Sequence, residues 1–159
     1  MAERVYVETT VVSYLTARPN RDVVIAGHQQ ITQEWWESRR GTYELCVSQL
    51  VLDEARVGDV VAAQDRLIVL QPMLVLETTR KALELAKELL EAGALPAKAA
   101  NDALHIAVAA TQAVPYLLTW NCRHLANATM RPVIEKVCSG NGFKAPIICT
   151  PEELLEATP

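Results

Sequence analysis

The sequence has few of the features that mark specialised classes of protein. Aromatic residues make up only 5 % of its 159 positions, with a single Phe, so the core has to be assembled from Ala, Val, Leu and Ile. Positive charge is not in excess. The formal net charge of −4 excludes a protein that coats nucleic acid through a uniformly basic surface, although it allows a local basic rim around an acidic site. The four cysteines, Cys46, Cys122, Cys138 and Cys149, form no CxxC pair and no zinc-ligand spacing. They read as free, buried or half-buried thiols in a reducing compartment. No apolar run approaches the ~20 residues of a membrane helix. Met1 to Arg4 leads straight into a strand pattern without a signal peptide, so a cytoplasmic protein with no membrane contact is expected.

Half of the residues are hydrophobic, and the length suits one domain spanning 1–159 with a core that needs no staples. No repeat or linker interrupts it. Val5-Tyr6-Val7 reads as a strand closing on Glu8, with Thr9 and Thr10 as a helix cap before Val11, Val12 and Leu15. Asp22 caps a helix that runs to Gly41, and Thr42 to Val47 is a second strand. Ser48 is expected to cap a short helix over Leu50 to Ala55, and Val60 begins another. Met73 to Leu76 is a short buried strand. Glu77 to Ala92 is a clean amphipathic helix with Ala82, Leu85, Ala86, Leu89 and Leu90 on one face and Gly93 as C-cap. A further helix covers Ala97 to Ala110, and Tyr116 to Leu118 is a strand ending in Thr119-Trp120-Asn121. A short helix over Cys122 to Asn127, a second over Met130 to Cys138, a strand over Pro146 to Cys149 and a helix start at Thr150-Pro151 complete the pattern. Strands alternating with helices predict an α/β sandwich with a mainly parallel sheet, whose ligands bind beyond the strands' carboxyl ends.

The Ala97–Ala110 helix carries a chemical problem. Almost all of it is small or apolar, yet Asp102 and His105 share one face, and a carboxylate there needs a cation, a proton or a hydrogen-bond donor. Glu8 and Asn121 sit at strand ends, and Glu54 lies in a short helix after a strand. Were these groups to converge, three carboxylates and an amide would repel one another without a cation, and hard oxygen donors favour Mg²⁺ or Mn²⁺. Each also has a plainer reading. Asp102 suits a helix dipole, Glu54 a solvated surface, Asn121 a turn, and His105 a hydrogen-bonded structural role. His28 and His124 show no partner pattern. Of Trp35 and Trp36, one is expected to anchor the core and the other to be partly exposed.

Val5-Tyr6-Val7-Glu8-Thr9-Thr10-Val11-Val12-Ser13-Tyr14-Leu15, Ser48-Gln49-Leu50-Val51-Leu52-Asp53-Glu54-Ala55, Asn101-Asp102-Ala103-Leu104-His105-Ile106-Ala107 and Leu118-Thr119-Trp120-Asn121 resemble, in order and spacing, the successive motifs of the PIN domain family. The resemblance covers essentially the whole chain and is greatest to single-domain prokaryotic members of the VapC toxin type. It implies a three-layer α/β/α PIN-like sandwich with a mainly parallel, about five-stranded sheet. It also implies a Mg²⁺- or Mn²⁺-dependent endoribonuclease, the toxin of a type II toxin–antitoxin pair, with RNA as substrate, a small antitoxin as partner and a homodimeric state. The family's four catalytic and metal-binding positions fall on Glu8, Glu54, Asp102 and Asn121, with Thr9 and Thr119 in support. Arg123 and Lys98 are the leading candidates for RNA phosphate contacts. Glu8 replaces the usual Asp with a longer acid, and Asn121 replaces an acid with an amide. These two departures keep alive the alternative of a catalytically weakened PIN scaffold that binds RNA or protein.

Overall fold

The structure, a computed structural model, describes residues 2–155. Its centre is a five-stranded sheet of β1 (Arg4–Val7), β2 (Glu44–Ser48), β3 (Leu74–Leu76), β4 (Tyr116–Leu118) and β5 (Ile147–Cys149), in the spatial order β3-β2-β1-β4-β5. All four pairings are parallel, and Val7 lies opposite Leu118 across the β1–β4 pair. Parallel strands covered on both faces must be apolar throughout, which explains the uninterrupted run Val5-Tyr6-Val7, all of it buried.

The helices are α1 (Thr9–Thr16), α2 (Val23–Arg39), α3 (Gln49–Ala55), α4 (Val60–Leu70), α5 (Arg80–Glu91), α6 (Ala100–Thr111) and α7 (Arg131–Gly140). α1 packs with α2, α3 and α4, whereas α5 packs with α6 and α7, so two helical layers enclose the sheet. The result is a three-layer α/β/α sandwich. Alanine governs the second layer. α5 buries Ala82 and Ala86, α6 buries Ala103, Ala107 and Ala110, and small side chains let the two helices approach closely. Each fully buried Leu or Ile added to this framework contributes roughly 1.5–3 kcal/mol. Trp35 is fully buried, and Trp36 is half-buried beneath the Arg40 guanidinium, 4.7 Å from its ring.

Several local expectations hold for the reasons given. Asp22 accepts from the backbone N–H groups of Val24 and Ile25, capping α2. Gly93, at φ +73°, closes α5 with paired bonds from Gly93 N to Leu90 O and Ala94 N to Leu89 O, a left-handed turn that favours glycine. Other expectations are corrected. Glu8, not a threonine, caps α1, because its carboxylate reaches forward and accepts from the Thr10 N–H at 3.2 Å. Ser48 precedes α3 without a side-chain capping bond, since its hydroxyl is committed to Tyr6. α6 begins at Ala100, three residues later than the apolar pattern suggests. Residues 122–125 form turns rather than a helix: Asn121 O accepts from the N–H groups of both Leu125 and Ala126. The helix start expected at Thr150 is a turn over 151–154 within the described residues.

All four cysteines are free, and Cys122 is exposed, contrary to the expected burial. Burial pushes the Cys46 and Cys149 thiols up to about 12 and the Cys138 thiol to about 11, so these three are unreactive core residues. Among the described residues, no helix is long and apolar enough to cross a membrane.

Candidate metal centre

Strand order reverses direction at β1. Its successor β2 lies on one side and β4 on the other, and the crevice at such a switch point is where parallel sheets receive ligands. Glu8 leaves the carboxyl end of β1, Thr119 and Asn121 leave β4, and Glu54 is carried by α3 immediately after β2. α6 then presents Asp102 and His105 one helical turn apart.

Glu8 is only 4 % exposed. Its Oε1 accepts from the Thr10 hydroxyl at 2.5 Å and the Thr119 hydroxyl at 2.6 Å, while Oε2 has the longer Thr10 N–H bond. Glu54 repeats this arrangement. Its Oε1 receives the Thr9 hydroxyl at 2.6 Å and lies 2.8 Å from His105 Nε2. In each acid, one oxygen is therefore held by two short contacts and the other is less engaged. Burial pushes the Glu54 carboxyl up, but the hydrogen bond and charge of His105, with bonds from Thr9 and Asn101, outweigh it. The net shift is below the usual carboxylate value.

His105 is fully buried. Its Nδ1 lies 2.7 Å from the Tyr6 hydroxyl, which in turn lies 2.7 Å from Ser48 Oγ. Burial, with the charges of Glu8 and Glu54 added, pushes the Tyr6 phenol far up despite the opposing Ser48 bond, so Tyr6 keeps its proton. The hydroxyl pair thus meets the ring from behind while Glu54 meets it from the front.

The second half of the site is arranged differently. Asp102 Oδ1 accepts from Asn121 Nδ2 at 3.2 Å, and Oδ2 lies 3.1 Å from His124 Nδ1. Asn121 Oδ1 accepts from the backbone N–H of His124 at 3.0 Å. Because a backbone N–H can only donate, this bond orients the amide and turns its NH₂ toward Asp102. Asn121 thus acts here as a hydrogen-bond donor to Asp102 and also as the turn residue of its plainer reading. Its backbone N–H donates to Thr119 Oγ1 at 2.9 Å, which links the two halves through Glu8. Trp120 braces the same segment. It stacks on His28 with ring centroids 4.0 Å apart and donates from Nε1 to Thr32 at 2.7 Å.

Of the residues singled out from sequence, Glu8, Glu54, Asp102, Asn121, Thr9 and Thr119 enter this connected network. Lys98 and Arg123 are exposed beside it in sequence. Thr10, Tyr6, Ser48 and His124 were missed. The tandem hydroxyls of Thr9-Thr10 and a tyrosine inside an otherwise aliphatic strand were the available signals, since a buried phenol needs a partner. His124 had no such signal, because only the turn after Asn121 brings it to Asp102.

Ligand atoms of Glu8, Glu54 and His105 lie within 4.8 Å of one another. Among the described residues, no lysine or arginine ion pair involves Glu8, Glu54 or Asp102; the cations pair with Glu44, Asp53, Glu91 and Glu153 instead. Glu8 and Glu54, with no lysine or arginine partner and a less engaged oxygen on each, form with His105 a donor set that fits a divalent metal ion.

A solved structure of VapBC2 from Rickettsia felis, bound to a DNA fragment from its promoter, is similar to this chain with a TM-score of 0.57. The match covers 92 % of this chain and 98 % of that one at 16 % identity. The fold is PIN-like. No family model matches the sequence, and no curated protein matches it. The PIN-like likeness therefore lies in the path of the chain, while the site's chemistry must be read from its own residues.

Proposed function

We propose that this protein is a metal-dependent endoribonuclease that hydrolyses RNA phosphodiester bonds, with Mg²⁺ or Mn²⁺ as cofactor. The observation that carries this reading is the convergence of Glu8, Glu54 and His105 at the β1–β4 switch point, with Asp102 tied into the same network. A divalent ion in such a site supplies Lewis acidity toward a phosphoryl oxygen and lowers the pKa of bound water. Glu8 and Glu54 offer the carboxylate oxygens that hold it. Thr9, Thr10 and Thr119 keep those carboxylates oriented. Asp102, with 19 % of its side chain exposed, faces the incoming substrate and is placed to orient the attacking water. Exposed Lys98 and Arg123 supply phosphate contacts.

The PIN-like fold shared with VapBC2 supports a toxin role paired with a small antitoxin. The outward-facing Val60, Val61 and Ile68 of α4 give such a partner apolar surface. One observation favours a second reading, a scaffold that binds RNA or protein without cleaving it: both oxygens of Asp102 are already engaged, by Asn121 and His124.

Incubating purified protein with structured and unstructured RNAs, with and without Mn²⁺, beside Asp102→Asn, tests the assignment. Metal-dependent cleavage that the variant loses is the expected result. Equal cleavage by both proteins would mean a contaminating nuclease and defeat the assignment, and retained RNA binding without cleavage would select the second reading.

A further inference from the structure

We propose that His105 is a ligand of the metal ion through Nε2, and that the site therefore prefers a first-row transition ion to Mg²⁺. This rests on the metal-binding part of the reading above and is independent of whether RNA is cleaved.

Four observations lead to it. His105 is fully buried, so Nε2 can serve only what faces it, and what faces it is the Glu8–Glu54 pair. Its 2.8 Å separation from Glu54 Oε1 matches two adjacent ligands on one ion, which lie about 3.0 Å apart when each bond is near 2.1 Å in octahedral geometry. The ring's other nitrogen is backed by an oxygen partner, the Tyr6 hydroxyl, as metal-binding histidines characteristically are. Finally, Tyr6 sits between two groups that can each take either hydrogen-bonding role, His105 Nδ1 and Ser48 Oγ.

The last point gives a neutral ring two arrangements. In one, Ser48 donates to Tyr6, Tyr6 donates to Nδ1, and Nε2–H donates to Glu54. In the other, Nδ1–H donates to Tyr6, Tyr6 donates to Ser48, and the Nε2 lone pair is free for a cation. The number of protons is the same in both, and a ring that carries a second proton beside Glu54 releases it on entering the second. Glu54 Oε1 keeps its Thr9 hydroxyl bond in either case. The Tyr6–Ser48 pair is thus a reversible hydrogen-bond relay that lets a buried histidine act as donor to Glu54 without metal and as ligand with it. An imidazole nitrogen favours Mn²⁺, Co²⁺ or Zn²⁺ over Mg²⁺, which prefers oxygen ligands and retained water.

Calorimetric titration of the RNA-free protein with Mn²⁺ and with Mg²⁺, together with pulsed EPR of the Mn²⁺-loaded protein, tests this. Mn²⁺ should bind at least about tenfold more tightly than Mg²⁺, and the EPR should show a ¹⁴N coupling from directly bound imidazole. His105→Gln should abolish the coupling and weaken Mn²⁺ about 10–100-fold while changing Mg²⁺ little, and Tyr6→Phe should weaken Mn²⁺ by a smaller factor. Absence of nitrogen coupling in the wild type would overturn the proposal, and needs no variant to fold. Equal loss of Mn²⁺ and Mg²⁺ in His105→Gln would overturn it too, leaving His105 as a residue that only orients Glu54. Nitrogen-coupled Mn²⁺ in a protein that cuts no RNA would uphold the ligand and defeat the ribonuclease assignment alone.

Discussion

The two halves of the candidate site are built from similar groups to different standards. Around Glu8 and Glu54, the bonds from threonine hydroxyls and the buried imidazole are 2.5–2.8 Å long and gather on one oxygen of each acid, with the longer 3.2 Å bond from Thr10 N–H on the other oxygen of Glu8. Around Asp102, the bonds are 3.1–3.2 Å, and both oxygens are occupied. The first half is preorganised, with carboxylate oxygens left over. The second is closed on itself through one bond on each oxygen, although each oxygen keeps a lone pair. A cation would find its ligands ready on the β1–α3 side, whereas Asp102 would join through an oxygen that Asn121 or His124 already holds.

That contrast predicts unequal consequences for neutralising each acid. Glu8→Gln removes a buried charge at the prepared half, and the several kcal/mol that a metal contributes to phosphoryl-transfer chemistry correspond to roughly a thousandfold in kcat. Asp102→Asn is also expected to lose cleavage, but with metal binding largely preserved. Titrating Mn²⁺ into both variants and measuring single-turnover cleavage checks this ranking. If Asp102→Asn loses the metal and Glu8→Gln keeps it, the two halves have been assigned the wrong way round.

Asn121→Asp perturbs the second half alone. The donor facing Asp102 becomes an acceptor, and two carboxylates then oppose each other where a hydrogen bond stood. The His124 N–H keeps its partner in the variant. Metal-free stability is expected to fall by about 1 kcal/mol. Mn²⁺ affinity should rise roughly tenfold, since binding relieves the repulsion. Thermal melts with and without Mn²⁺ should therefore show a larger metal-induced rise in Tm than in the wild type. An unchanged rise would remove residue 121 from the site.

The sandwich could be read from the sequence because its signals are local and repetitive. Val5-Tyr6-Val7, the amphipathic face of α5 and Gly93 each obey a rule that spans only a few residues. The acids could be named, but their differing states could not, because burial and donor count are set by residues far away in sequence. Glu8 owes its constraint to Thr119, 111 positions later, and His105 owes its Nδ1 partner to Tyr6, 99 positions earlier. A histidine on an apolar helix face reads as structural by default. Only the folded chain shows it facing two carboxylates while backed by a phenol. The turn at 122–125 was misjudged for a related reason. Its residues tolerate a helix, but Asn121 accepts from Leu125 and Ala126 and draws the segment into turns that bring His124 to Asp102.

The smallest expected effect concerns acid stability, and it probes the prepared half without any metal. The Glu54 carboxyl sits below its ordinary value because the bonds from His105, Thr9 and Asn101 favour the charged form more than burial opposes it. A depressed folded-state pKa contributes stability that is fully present above the unfolded value, near 4.3 for Glu, and is lost as pH falls through the folded value. In metal-free protein, Glu54→Gln should therefore be less stable than the wild type at neutral pH, and the gap should narrow as pH falls below about 4. Urea midpoints of both proteins across that interval measure it. A gap that stays constant would mean that the donors around Glu54 do not favour its charge, and the distinction between a prepared and a closed half would then rest on geometry alone.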